Sequence, residues 1–247
     1  LLFAPFRAMV GFRSDRHRSE LGWRRVPYLW MGTLIQFGGL SIMPFALLVL
    51  AGAGQSASAP AWVGQFAAAV AFLLVGAGLH TVQTVGLALA TDLAPQRDHP
   101  KVVGFMYVML LLGTMGSALI FGEVLSEYSP GNLIQVIQAC AVSTLVLNTV
   151  AMWKQEARSR QRKPLQPGQP TAADETPFAD AWRALLEGGD TARRLWVIAL
   201  GTVAFTMEDV LLEPYGGELL GLSVSDTTLL TATLAVGGLL GFGWASR

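Results

Sequence analysis

Two sets of residues have the types and spacing for chemistry. The first is Met207-Glu208-Asp209-Val210-Leu211-Leu212-Glu213-Pro214-Tyr215-Gly216-Gly217-Glu218. It follows an uncharged run, 195–207, which as a helix covers ~20 Å at ~1.5 Å per residue, over half of a ~30 Å hydrocarbon core. The spacing predicts an intramembrane acidic site made of Glu208, Asp209 and Glu213. Carboxylates at that depth face a protein interior or a wet cavity and mark function. Asp209 and Glu213 are four apart and share one helical face. Pro214 predicts a kink, and Gly216-Gly217 a looser backbone beyond it. The acids suit pairing with an arginine near a helix end or proton binding in a transport cycle. The plainer alternative is a span that ends at Glu208, with its acids in interfacial water. Arg7 is the other charge placed inside a span.

The second set centres on His80, ~28 Å into the otherwise uncharged run 61–91. A neutral imidazole can coordinate a metal centre. Gln83 and Thr84, three and four residues on, share its helical face. The alternative is interhelical hydrogen bonding among His80, Gln83 and Gln36, ordinary polar glue in a bundle.

Little else supports reactive chemistry, and an enzyme is not expected. There is no phosphate-binding loop, no nucleophile pattern with context and no metal-ligand spacing. The single Cys140 excludes an internal disulfide and a cysteine metal cluster. A nucleic-acid role is excluded by class.

The elements that must position these residues are membrane spans. The chain has 247 residues, 52% hydrophobic and 14% charged, with a mean hydropathy of +0.47. Soluble domains carry roughly 25% charged residues, so the deficit predicts an all-α polytopic membrane protein. Residues 1–12 read as the tail of a span. Charge-poor runs at 26–52, 61–91, 102–122, 133–153, 195 onward and 227–245 read as spans. Gly113, Gly116 and Gly122 suit close helix packing. Aromatics such as Tyr28, Trp30, Tyr128 and Trp153 read as interfacial anchors, with Glu123 also interfacial.

Lys and Arg sort into alternate loops: Arg13 to Arg25, Arg97 with Lys101, Lys154 to Lys163, and Arg247. The positive-inside rule makes those loops cytoplasmic. In the longest loop the basic run ending at Lys163 can attract anionic lipid. The Pro/Gln/Gly-rich stretch 164–171 reads as flexible. A short amphipathic helix follows, with Thr176 as N-cap, Pro177 at the first helical position and Gly188-Gly189 as the stop. Its stripe of Phe178, Trp182, Leu185 and Leu186 suits the membrane face or the ends of the bundle.

A weak repeat links Val10-Gly11-Phe12 to Leu240-Gly241-Phe242. If one span precedes the sequence, these close spans two and eight, a spacing of six that two parallel six-helix halves would give. The expected domains are 1–153, an N-terminal half holding spans two to six; 154–194, a central cytoplasmic loop; and 195–247, spans seven and eight of a second half.

That arrangement resembles the major facilitator superfamily. Gly11-Phe12-Arg13-Ser14-Asp15-Arg16 is similar to its loop motif Gly-x-x-x-Asp-Arg. The resemblance implies close helix approach at Gly11 and bracing of cytoplasmic helix ends by Asp15 and Arg16. The sequence departs after Arg16: the usual glycine is Arg18, and the basic pair lies at Arg24 and Arg25. The Gly-Pro pair of the antiporter-type fifth span is absent, which argues against antiport.

Three long blocks resemble the PucC/LhaA family, also called the bacteriochlorophyll delivery family. They are Arg24-Arg25-Val26-Pro27-Tyr28-Leu29-Trp30 with the Gln36 to Ala46 stretch, the run from His80 to Ala94, and the acidic stretch 208–218. The resemblance implies a phototrophic bacterium and an inner, intracytoplasmic membrane location. It implies assembly of light-harvesting antenna complexes, with bacteriochlorophyll, and carotenoid or lipid beside it, as bound groups. The implied partners are the antenna α and β polypeptides, the reaction-centre core and membrane lipid. The magnesium of bacteriochlorophyll would accept His80 as an axial ligand, with Gln83, Thr84 and Gln36 around it, and the acids could hydrogen-bond a pigment. The expected function is delivery of bacteriochlorophyll and chaperoning of antenna polypeptides. The alternative is a proton-coupled secondary transporter using Glu208 and Asp209.

Overall fold

The computed structural model describes residues 6–17, 19, 22–52, 60–126, 129–156, 177–187 and 189–245. All regular elements among them are helical: α1 (Phe6–Arg16), α2 (Val26–Leu50), α3 (Ala61–Asp92), a single 3₁₀ turn (Gln96–Asp98), α4 (His99–Val124), α5 (Pro130–Met152), α6 (Phe178–Leu186), α7 (Thr191–Glu218) and α8 (Val224–Ala245). Six of these, α2 to α5 with α7 and α8, are long and apolar enough to cross a membrane. The chain is therefore a multi-pass α-helical membrane protein. The helices divide into two compact units, one of residues 1–158 with 223–247 and one of residues 159–222.

In the first unit the central feature is the seam between α2 and α3. A Cβ added at Gly78 would lie 2.4 Å from the Gln36 backbone nitrogen, and one at Gly39 2.7 Å from the Val75 nitrogen. Backbones that close leave room only for hydrogen, the packing that small residues allow in a medium with no hydrophobic drive between helices. Gly64 does the same against Leu50. Apolar clusters fill both ends of the seam. Leu29, Val85, Leu89 and Met152 form one; Met43, Ala46, Ala68 and Ala71 form the other.

Polar side chains fix α5 to α2. Asn148 Nδ2 donates to Thr33 Oγ1 at 3.1 Å, and Gln138 Nε2 donates to the Ser41 carbonyl at 3.3 Å. Pro44 lies inside α2 and cannot donate to the Leu40 carbonyl four residues back. At the start of α5, Ser129 Oγ accepts from the Asn132 amide at 3.0 Å and Pro130 takes the first turn.

α8 packs along α4 with one glycine on each side. Phe242 would sit 3.2 Å from a Cβ at Gly104, and Leu111 3.4 Å from one at Gly238. This corrects the expectation for the fifth-span glycines. Gly113 and Gly116 would have nothing within 4 Å of an added Cβ, and Gly122 meets Ser225 only at an ordinary 3.6 Å. Helical spacing says which glycines share a face but not whether a neighbour covers it.

In the second unit α6 begins at Phe178, with Pro177 as its N-cap rather than its first residue. Thr176 and Gly188 lie outside the described residues, as do Glu127, Tyr128, the basic run from residue 157 and the stretch 164–171. Gly189 takes φ +59 after the helix. Phe178 and Trp182 stack at 6.0 Å between centroids, as the i, i+4 stripe predicts. α7 holds the acidic stretch inside one helix, as expected. It runs unbroken from Thr191 to Glu218 with Pro214 inside. It passes Glu208, against the alternative of a span ending there, and continues through Pro214. The chain turns only at Gly221, where φ is +64.

Candidate functional site

The densest polar chemistry lies where α1, α2, α3 and the segment after α5 meet. Arg25, the residue before α2, is its centre, with a side chain only 6% exposed. Its Nη1 pairs with Asp15 Oδ1 at 2.6 Å and donates to Ser14 Oγ at 3.3 Å. Its Nε pairs with Asp92 Oδ2 at 2.6 Å. Burial opposes the charge of Arg25. The hydrogen bond to Asp92 and the charges of Asp15 and Asp92 more than offset this and hold its pKa above the usual arginine value. Arg24 also pairs with Asp92.

The start of α2 is closed by a residue 130 positions further on. One Glu156 oxygen accepts from the Arg24 amide at 2.9 Å. The other accepts from the amides of Arg25 at 3.0 Å and Val26 at 3.1 Å. A helix N-terminus has unsatisfied N–H groups and a partial positive charge, and a carboxylate answers both. No local N-cap does this work: residue 25 is arginine, without a capping side-chain bond.

The basic pair Arg24-Arg25 and Asp15 thus join one brace, and the loops that follow α1, α3 and α5 share one end of the unit. Arg16 does something else, with its guanidinium 3.8 Å from the Phe12 ring centroid. A Cβ at Gly11 would meet Thr84 Cγ2 at 3.6 Å, an ordinary contact, so packing there does not demand glycine. Sequence reasoning missed Ser14, Asp92 and Glu156. Asp92 had a readable signal, being an acid at the end of a long uncharged run. Glu156 stood out only as an acid within a basic run.

The structure separates the residues grouped around His80. Arg7 Nε donates to Thr84 Oγ1 at 2.9 Å, so the face of α3 that carries His80 and Thr84 meets α1. His80 is partly buried, with Nδ1 shielded from solvent. Gln36 packs at Gly78, on the α2 side. His80 lies two residues past Gly78, about 200° round a 3.6-residue helix. His80 and Gln36 are therefore on different faces of α3 and are not brought together. Gln83 is half-buried on α3.

A cavity of about 290 Å³ lies on the far side of α3 from His80, walled by Leu29, Thr33, Val82, Leu89, Met106 and Asn148, among others. Its lining is apolar except for the Thr33–Asn148 pair and Gln155. The size sits at the lower edge of the ~300–1,000 Å³ typical of small-molecule sites. An apolar chain fits better than a large rigid ring.

Glu208 and Glu213 are exposed along α7 within their own unit, and Gly216 is buried. The side chain of Asp209 is outside the described residues. Among the described residues no group of three or more His, Cys, Asp or Glu is placed to hold a metal ion.

The family model described as PUCC protein matches residues 1–247, the whole chain. The chain belongs to the PucC family. Protein PucC of Rhodovulum sulfidophilum is 59% identical over 248 residues, covering 100% of this chain and 54% of that protein. Protein PucC of Rhodobacter capsulatus is 58% identical over 247 residues, covering 100% and 53%. A more distant relative, the bacteriochlorophyll synthase 44.5 kDa chain of Rhodobacter capsulatus, is 26% identical over 171 residues, covering 65% and 36%. The chain spans about half the length of the curated PucC proteins it matches. No solved structure matches it significantly.

Proposed function

We propose that this protein is an assembly factor for light-harvesting antenna complexes, which shelters bacteriochlorophyll and passes it to antenna α and β polypeptides as they assemble. The observation that carries the reading is membership of the PucC family over the whole chain, together with high identity to proteins named PucC. It is a scaffold without covalent catalysis, of major facilitator architecture, with its basic loops on the cytoplasmic side of the inner membrane.

Two features support pigment handling. The apolar cavity beside Leu29, Val82 and Leu89 suits the hydrocarbon tail of a pigment. On the opposite face of α3, His80 offers an imidazole within the membrane-spanning region beside the Arg7–Thr84 bond. His80 fits as an axial ligand to magnesium, and Thr84 and Gln83 as its neighbours. Gln36 belongs to the α2–α3 seam and does not share that face. The two described cavities draw their walls from α2 to α5 and the adjoining chain.

The test is the near-infrared absorption spectrum of the detergent-purified protein from a phototrophic host, wild type and His80→Ala. Bacteriochlorophyll at a fixed ratio in wild type, lost in the variant, is expected. Pigment retained by the variant would keep the function and reject His80. No pigment, even with antenna polypeptides present, would turn the reading to a transporter using Glu208 and Asp209.

A further inference from the structure

We propose that the groove between the start of α2 and the end of α5 holds the headgroup of an anionic phospholipid from the leaflet on the basic-loop side. The groove measures about 610 Å³ and brings Trp23, Trp30 and Trp153 together with Met152, Lys154 and Glu156. Three of the chain's seven tryptophans therefore converge on one site. Indole rings favour the height where acyl chain gives way to headgroup, with the ring in apolar surroundings and the N–H available to phosphate or ester oxygens.

Charge selects the lipid. Lys154 is the cation in the groove lining and is exposed. The neighbouring arginines are engaged elsewhere, Arg24 with Asp92 and Arg25 with Asp92 and Asp15. Glu156 would repel a phosphate if its charge were open. Its oxygens instead accept from the amides of Arg24, Arg25 and Val26, at the positive end of α2. The groove thus presents an exposed lysine beside a carboxylate turned toward the α2 amides.

The backbone supplies a separate observation. Lys154 takes φ 55, alone among the described non-glycine residues in the left-handed region. That conformation is unfavourable for a side chain with Cβ, and such strain gathers at ligand clamps and other functional positions. The turn ends α5, and both Trp153 and Lys154 line the groove. Exposed Val146 and Val150 continue along α5 as a track for an acyl chain. The site contains no imidazole and lies on the basic-loop side, which favours a lipid phosphate over a pigment.

The experiment uses the full-length protein in nanodiscs, with tryptophan emission quenched by brominated phosphatidylglycerol or by brominated phosphatidylcholine at equal mole fraction. Tryptophans outside the groove respond to both lipids, so the groove signal is the wild-type quenching minus that of a variant with Trp23, Trp30 and Trp153 changed to Phe, and the ratio is taken on that difference. Wild type is expected to prefer the anionic lipid about five-fold, the size of one lysine contact at a membrane surface. Lys154→Gly removes the charge while relaxing the backbone, so it should fold and bring the ratio to one. Equal quenching in wild type would overturn the proposal, as would a preference that survives Lys154→Gly. So would loss of the preference on neutralising Arg158, Arg160 and Arg162 with Lys154 intact, which would assign it to the basic run. Abolition by millimolar inorganic phosphate would mark a free-anion site and overturn it too.

Discussion

The α2–α3 seam and α4 are both apolar, glycine-containing helical regions, yet their glycines serve opposite ends. At Gly78 and Gly39 an added Cβ would strike the backbone of the facing helix. At Gly113 and Gly116 it would meet nothing within 4 Å. The seam is also closed at its basic-loop end by Arg25, Asp92, Asp15 and Glu156. The difference teaches that glycine content shows where helices can approach, while the facing helix decides where they do.

Breaking the charged end of the seam should have the largest effect. Arg25→Ala leaves the half-exposed Asp15 without its partner and Asp92 with Arg24 alone, a loss of about 1.5–3 kcal/mol for hydrogen bonds between charged groups. The measurement is the thermal unfolding midpoint in detergent, and a midpoint within a degree of wild type would break the comparison. Next is Gly78→Ala, where rigid backbone stands in the way of the methyl group. Overpacking of this kind costs about 1–3 kcal/mol, and the same assay should show a clear drop.

A smaller loss is expected for Glu156→Gln. The amide keeps an acceptor for the α2 amides but loses the charge that answers the helix N-terminus, about 0.3–1 kcal/mol. The loss should shrink in high salt, because this site is only partly buried. The smallest effect, and the opposite sign, belongs to Gly113→Ala. Alanine in an exposed helix interior should stabilise by about 0.5–1 kcal/mol. A destabilisation comparable to that of Gly78→Ala would show that α4 has a hidden neighbour at this face.

The spans were legible because long charge-free runs have one structural solution in a bilayer. The run 26–52 became α2, Val26–Leu50, and 61–91 became α3, Ala61–Asp92. Half of the brace was also legible, through Asp15, Arg24 and Arg25. Asp92 and Glu156 join from positions 68 and more than 130 residues away, and sequence periodicity does not report such distances. The alternative end of the acidic span at Glu208 is overturned, since α7 carries on through Pro214 to Glu218. The grouping of His80 with Gln36 failed for a simpler reason. Residues 78 and 80 of one helix look in nearly opposite directions.

The capping of α2 by Glu156 bears on the order in which the molecule is made. A chain emerges from the ribosome from its first residue onward, so α2 is complete long before residue 156 exists. Until then the amides of Arg24, Arg25 and Val26 have only water or lipid headgroups to turn to. The seal forms once α5 has crossed the membrane and its trailing segment has come back to the start of α2. A stalled or truncated chain ending before residue 156 would leave this end of the bundle open, and quality-control proteases would meet it there first.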